Sequence, residues 1–246
     1  MTTRRGLIRL AVATLVVSMA FAAVAAAQTA PARRAPVDLS GLWLVQDPGS
    51  GSWTNWFFHA ASLPKPELHP DVVAENKILQ AEEAKGDVVN RAPRRLDCPS
   101  GSVAMMMASS GPLNIVQGGS ELLMGAEAGR GRAIALDGRP LPDTKSPTFV
   151  PTGAGYSVGR WEGDTLVVDT IGFATDICDS RRPSGGFTPG SGRVRSTTRL
   201  LEHYKLTGDT LSVTFTWTDP AVFLKPYTYT YQYKKIPNGE GYENNP

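Results

Sequence analysis

Along much of this chain, apolar and polar residues alternate one by one. In residues 211–217, Leu211, Val213, Phe215 and Trp217 share one face, and Ser212, Thr214, Thr216 and Thr218 the other. In residues 227–233 the four tyrosines Tyr227, Tyr229, Tyr231 and Tyr233 share a face, with Thr228, Thr230 and Gln232 opposite. A tyrosine stripe of this kind either lines a cavity or stacks across strands on an outer face. In residues 165–170, Leu166, Val168 and Thr170 alternate with Thr165, Val167 and Asp169. Period-two runs bounded by glycine, proline and aspartate predict strands over 38–45, 113–117, 121–126, 133–136, 156–161, 165–170, 194–205, 210–218 and 227–236. Gly163 with Asp164, and Gly208 with Asp209, mark tight hairpin turns, while Gly129 to Gly131 reads as a further turn.

A helical pattern stands out once beyond the N-terminus, at 70–85. Pro70 suits its first turn, Gly86 its stop, and Val72, Ile78 and Leu79 form a narrow apolar face. No β–α–β alternation and no repeat of fixed period is present. The expected fold is therefore all-β: a single antiparallel β-barrel or sandwich, lipocalin- or calycin-like, with one short helix.

The N-terminus changes the compartment. Residues 1–27 carry Arg4, Arg5 and Arg9, an apolar run too short for a comfortable membrane span, and Ala25-Ala26-Ala27 as a cleavage site. They read as a signal peptide, 28–37 as a linker and 38–246 as the barrel domain. The expected location is periplasmic or secreted, with no stable membrane span after cleavage; the paired arginines fit either general or twin-arginine export. Removing three arginines turns the formal net charge of +2 into −1, a balance that gives no reason to expect a nucleic-acid partner. In an oxidising compartment Cys98 and Cys178 are a candidate disulfide, worth about 4–5 kcal/mol in the chain-entropy account, with two unpaired buried thiols as the alternative.

Candidate chemistry is sparse. There is no Gly-x-Ser-x-Gly elbow, no phosphate-cradling loop and no dinucleotide fingerprint. His59, His69 and His203 lack metal-ligand spacing, and Met105-Met106-Met107 reads as packing rather than a Cu(I) site, so neither cofactor nor metal is expected. Trp53, Trp56, Phe57 and Phe58 form a dense aromatic cluster that either covers the core or lines a pocket. Arg160 and Asp169 lie on opposite arms of the 156–170 hairpin and are candidate cross-strand partners. Glu202, among apolar neighbours, is a candidate buried proton shuttle, with His203 on the opposite face.

The motifs Cys98-Pro99-Ser100-Gly101, Asp137-Gly138-Arg139, Asp219-Pro220 and Lys225-Pro226 accompany one long signature. It runs Gly155-Tyr156-Ser157-Val158-Gly159-Arg160-Trp161-Glu162-Gly163-Asp164-Thr165-Leu166-Val167-Val168-Asp169-Thr170. With Leu201-Glu202 and Glu243-Asn244, these residues resemble, in order from about residue 38 onward, a family of exported bacterial β-rich proteins of unassigned biochemistry. Gly41-Leu42-Trp43 is similar to the Gly-x-Trp of lipocalin-like barrels, in which the indole plugs one end. The chain departs from the family pattern at His203, where an arginine is expected, at Arg195-Ser196, where a histidine is expected, and in lacking a cysteine near Glu243.

The leading expectation is an exported barrel that binds a small apolar or aromatic molecule. Tyr156, Trp161, Tyr229, Tyr231, Lys225 and Trp56 would contact the ligand, with Arg160, Asp169 and Glu202 as polar anchors. The alternative is a cofactor-independent hydratase, lyase or isomerase using Glu202 or Asp169 as acid or base, with Tyr229 or Lys225 as electrophilic partner. A third reading is an envelope protein that binds another protein. The oligomeric state is not encoded in any motif.

Overall fold

The computed structural model describes residues 35–46, 63–84, 103–107, 111–126, 130–174 and 196–237. Expectations for the signal peptide, Trp56, Cys98 and Cys178 lie outside these residues. Nine strands close into one barrel in sequence order. They are β1 (Gly41–Val45), β2 (Leu113–Gln117), β3 (Glu121–Ala126), β4 (Arg130–Ala135), β5 (Tyr156–Glu162), β6 (Thr165–Ile171), β7 (Arg199–Thr207), β8 (Thr210–Thr218) and β9 (Tyr227–Lys235). The all-β barrel expectation holds.

Three details differ from expectation. First, β4 and β5 run parallel, joined by an extended crossover over residues 136–155 instead of a hairpin. Every other pair is antiparallel. Second, β4 begins at Arg130, not Ala133: Gly131 continues the strand opposite Gly125 instead of turning the chain. Third, a second helix appears. Alongside α1 (Pro70–Ala84), α2 (Val103–Met107) forms a single turn in a stretch that reads as irregular. Its methionines are good helix formers, but five residues are too few for a helical period to show.

The two ends of the barrel differ. The turns at 118–120, 163–164 and 208–209 gather at one end, and Gly163 and Gly208 adopt the positive φ of 62° and 61° that two-residue hairpins need. Trp43 lies towards this end, fully buried, its indole N–H donating to the Leu39 carbonyl at 2.9 Å and the Lys235 ammonium 5.4 Å from its ring centre. Gln117 ties the incoming chain here, accepting from the Leu39 amide at 3.0 Å and donating to the Val37 carbonyl at 2.8 Å. From the opposite end leave the connections over 46–112, 172–198 and 219–226. The helix α1 belongs to the first of these: Val72 joins the core, whereas Ile78 is exposed. Among the described residues no helix is long and apolar enough to cross a membrane.

Gly155 enters β5 with φ of +69°, and a Cβ there would lie 2.9 Å from the Ile171 carbonyl oxygen. Gly208 has similar φ but open space around it. Gly155→Ala is expected to cost roughly 2 kcal/mol or more, combining backbone strain with a main-chain clash, and Gly208→Ala about 1 kcal/mol from strain alone. Urea unfolding of both variants checks this; equal losses would show that the close approach at Gly155 carries no energy.

Candidate functional site

Cross-strand register decides which residues line the barrel. Directly opposed residues share a face, and β8 offers a fully apolar one. Leu211, Val213, Phe215 and Trp217 oppose Tyr233, Tyr231, Tyr229 and Tyr227. The tyrosine stripe therefore points inward, and all four side chains are buried. The rings form a continuous wall: Tyr227 to Tyr229 is 5.2 Å between centres, Tyr229 to Tyr231 5.3 Å, and Phe215 stacks on Tyr229 at 5.1 Å. Such contacts add about 0.5–1.5 kcal/mol each beyond the area they bury.

The same register carries the wall across to β7 and β6. Val168, Glu202, Phe215 and Tyr229 make one row, and Thr170, Leu200, Trp217 and Tyr227 the next, nearer the end with long connections. Glu202 is thus a carboxylate set into an aromatic interior, with no exposure. It is met by Arg132 of β4, whose guanidinium donates to both carboxylate oxygens, at 3.0 and 2.7 Å. The same guanidinium donates to Ser157 of β5 at 3.1 Å and to Thr170 of β6 at 3.4 Å, and those two hydroxyls lie 2.9 Å apart. Tyr204 completes the cluster by donating to Glu202 at 2.7 Å. Four neighbouring strands each contribute at least one member.

Burial is the largest single influence on Arg132 and opposes its charge, but the Glu202 charge, the neighbouring Tyr204 and the hydrogen bond to Glu202 together outweigh it, and the guanidinium pKa lies above its ordinary value. Burial raises the Tyr204 phenol well above its usual range, and the adjacent Glu202 charge adds to this. Tyr204 is thereby held as a donor. Tyr229 and Tyr233 are also pushed far up, and Tyr227 to about 12, chiefly by burial.

The remaining hydroxyls are distributed unevenly. Tyr229 accepts from the Trp217 indole at 3.1 Å, and Tyr233 donates to the Met107 carbonyl at 2.6 Å, docking α2 against the interior. The Tyr227 hydroxyl and the Arg132 Nε–H are buried with no hydrogen-bond partner among the described residues. At the same end of the barrel a cleft of about 360 Å³ is lined by His69, Thr218, Asp219, Pro220, Phe223, Leu224, Lys225 and Pro226. Phe223 forms part of its wall and also stacks on Tyr227, 5.9 Å between ring centres. Cleft and interior are therefore joined through one aromatic contact. Asp219 shapes the cleft: its carboxylate accepts from Thr197 at 3.0 Å, Thr198 at 2.6 Å and the Ala221 amide at 3.0 Å.

The predicted site residues separate accordingly. Glu202, Tyr229, Tyr231 and the partly buried Trp161 face inward, and Lys225 borders the cleft, paired with Glu67. Tyr156 and Arg160 do not reach the interior, because alternation on β5 turns Ser157, Gly159 and Trp161 inward and their neighbours out. Tyr156 donates to the Val150 carbonyl on the outside, and Arg160 pairs with the exposed Glu162. Nor are Arg160 and Asp169 cross-strand partners: Asp169 opposes Val158, and its carboxylate is held by Arg199 on the outer face. Arg132 and Ser157 are the residues that sequence reasoning passed over. Extending the Ile134 face upstream by period two would have found Arg132.

Comparison with protein-family models and with curated proteins finds no match to this chain. Fold and site together define a closed nine-stranded barrel with an aromatic interior, a buried ion pair and a cleft at the end from which the long connections leave.

Two predictions test this geometry. Arg132→Met leaves Glu202 buried and unpaired, so it is expected to cost about 3–5 kcal/mol, whereas adding Glu202→Leu recovers most of that loss. A double-mutant cycle in urea reads both, and a cost under 1 kcal/mol for the single change would remove the pair from the core. The second concerns pH. The buried phenols have folded values above the unfolded 10.0, so their contribution to stability is complete below that value and is lost as pH rises through about 12 and beyond. Phenolate absorbance should therefore appear together with unfolding rather than before it; early ionisation of most tyrosines in the folded protein would contradict their burial.

Proposed function

We propose that this is an exported barrel that binds a small, largely apolar or aromatic molecule at its open end. The observation that carries this reading is that Phe223, part of the cleft wall, stacks on Tyr227 of the aromatic interior. A volume of about 360 Å³ suits a small molecule, and the lining sets Phe223, Leu224 and two prolines beside His69, Thr218, Asp219 and Lys225, an apolar wall with placed polar groups. In this reading Phe223 and Tyr227 receive the ligand, Tyr229 and Tyr231 back them, and Lys225 lies at the rim.

Glu202 is assigned to support, not to proton transfer. Its carboxylate already takes three hydrogen bonds from Arg132 and Tyr204 and has no exposure, so a substrate would have to displace Arg132 to reach it. Export rests on the N-terminal pattern of residues 1–27, and the family resemblance supports the same compartment.

The test is native mass spectrometry of the protein purified from the periplasm of its own cells, with N-terminal sequencing of the same sample. The expected result is a chain beginning near residue 28 that carries a bound molecule of defined mass. Phe223→Ser should lose it, while Tyr156→Phe retains it. A protein free of small molecules, and unable to take up naphthalene in titration, would defeat the binding reading; retention of residues 1–27 would defeat the export reading.

A further inference from the structure

The open end of the barrel is unbalanced in its hydrogen bonding, and the imbalance has a direction. Acceptors are used up. Glu202 takes three donors, and Asp219 at the cleft takes three more. The hydroxyls of Ser157 and Thr170 bond each other and accept from Arg132. The buried groups without a partner among the described residues are the Tyr227 hydroxyl and the Arg132 Nε–H. One is a donor only, and the other donates readily. Both side chains are more than nine-tenths buried, with relative exposures of 4% for Tyr227 and 6% for Arg132.

The register places them close to one level. Tyr227 shares a row with Trp217, Leu200 and Thr170, and Arg132 donates to Thr170. The interior charges cancel as well, one guanidinium against one carboxylate in bidentate contact. Inside the barrel a charged ligand group would meet no free counter-ion, and at the cleft the buried Asp219 carboxylate, held by neutral donors, would repel an anion; burying an unpaired charge is costly. A ligand bringing only donors would leave both orphan donors unanswered.

We infer that the ligand is a neutral hydrogen-bond acceptor, a ketone, ester, lactone or quinone on an apolar or aromatic body, whose oxygen accepts from the Tyr227 hydroxyl. This deepens the binding reading above and rests on it. Phe223, stacked on Tyr227 at an interplanar angle of 25°, supplies the flat surface beside that oxygen.

Five probes with one ring system decide the matter: naphthalene, 1-acetonaphthone, 1-naphthol, 1-naphthoate and 1-naphthylmethylammonium, titrated into the mature protein by calorimetry. The ketone is expected to bind roughly 3- to 10-fold more tightly than naphthalene, the gain of one buried hydrogen bond. Both charged probes should bind at least about tenfold more weakly than the ketone. Tyr227→Phe should bring the ratio of ketone to naphthalene affinity, both measured in that variant, down to about one. That variant removes an unpaired buried hydroxyl, so its unfolding midpoint should not fall. If naphthoate or naphthol binds most tightly, or if the preference for the ketone survives in Tyr227→Phe, the inference is overturned. If all five bind equally, the acceptor inference fails and the binding reading stands; if none binds, both fall.

Discussion

The fold depends on the ion pair between Arg132 and Glu202. Eight of the nine strand pairings are antiparallel ladders. The ninth, β4 with β5, is parallel and brings only two residue pairs into register, Ile134 with Ser157 and Ala135 with Val158. Main-chain pairing is shortest there, below even the three-residue ladders on either side of β1, so side chains have most to add at that seam. Arg132 projects from the weak side of that seam, crosses β5 and β6 by way of Ser157 and Thr170, and ends on Glu202 of β7. An apolar core of the same volume would be about as stable, because desolvating two charges offsets most of their attraction. It would not fix which strand faces which. A bidentate guanidinium–carboxylate contact accepts one geometry and rejects a register slipped by a residue, which would turn Arg132 outward.

The tyrosine wall follows from the same constraint. A buried carboxylate needs donors, and phenols bring them without adding charge. Tyr204 uses its hydroxyl this way, and Tyr233 reaches the Met107 carbonyl, seating α2. Phenylalanine at these positions would fill equal volume and leave Glu202 one donor short and the α2 carbonyl without a partner. The Tyr227 hydroxyl is outside this internal scheme, and it is the tyrosine that stacks on the wall of the cleft. Among the described residues, the interior is satisfied towards the end with tight turns, and its two orphan donors lie towards the end with long connections.

How much of this was legible depended on whether a feature is local. Strand boundaries at 113–117, 121–126 and 210–218 follow from alternation and turn chemistry alone, and the structure reproduces them. The inward direction of the tyrosines needed one further step, the register of β9 on β8, because a period of two gives a face but not its side. Arg132 was hidden by its neighbours: two glycines, Gly129 and Gly131, and one further arginine, Arg130, have the composition of a turn. The Arg199 partner of Asp169 was equally out of reach, since 30 residues separate them. The parallel seam could not be read at all. A crossover without a helix has no periodic signal, and residues 136–155 look like any proline-rich loop.

These limits bear on function as well. Motif searching finds nucleophiles, metal ligands and phosphate loops because such chemistry needs particular residues at fixed spacing. Recognition of a neutral apolar molecule needs none of that. It needs a wall and one or two placed donors, and in the proposed reading these come from residues far apart in sequence: Arg132 and Glu202 pair, Phe223 and Tyr227 stack, and the Asp219 carboxylate is held by Thr197 and Thr198. Exposed ion pairs occur at both ends, Asp164 with Lys205 and Asp209 with Lys234 beside the tight turns and Glu67 with Lys225 by the cleft. Exposed pairs of that kind contribute little, about 0–1 kcal/mol. Held in solvent, they leave the aromatic interior to the single Arg132–Glu202 pair, so that in the proposed reading shape and one phenol hydroxyl would select the ligand.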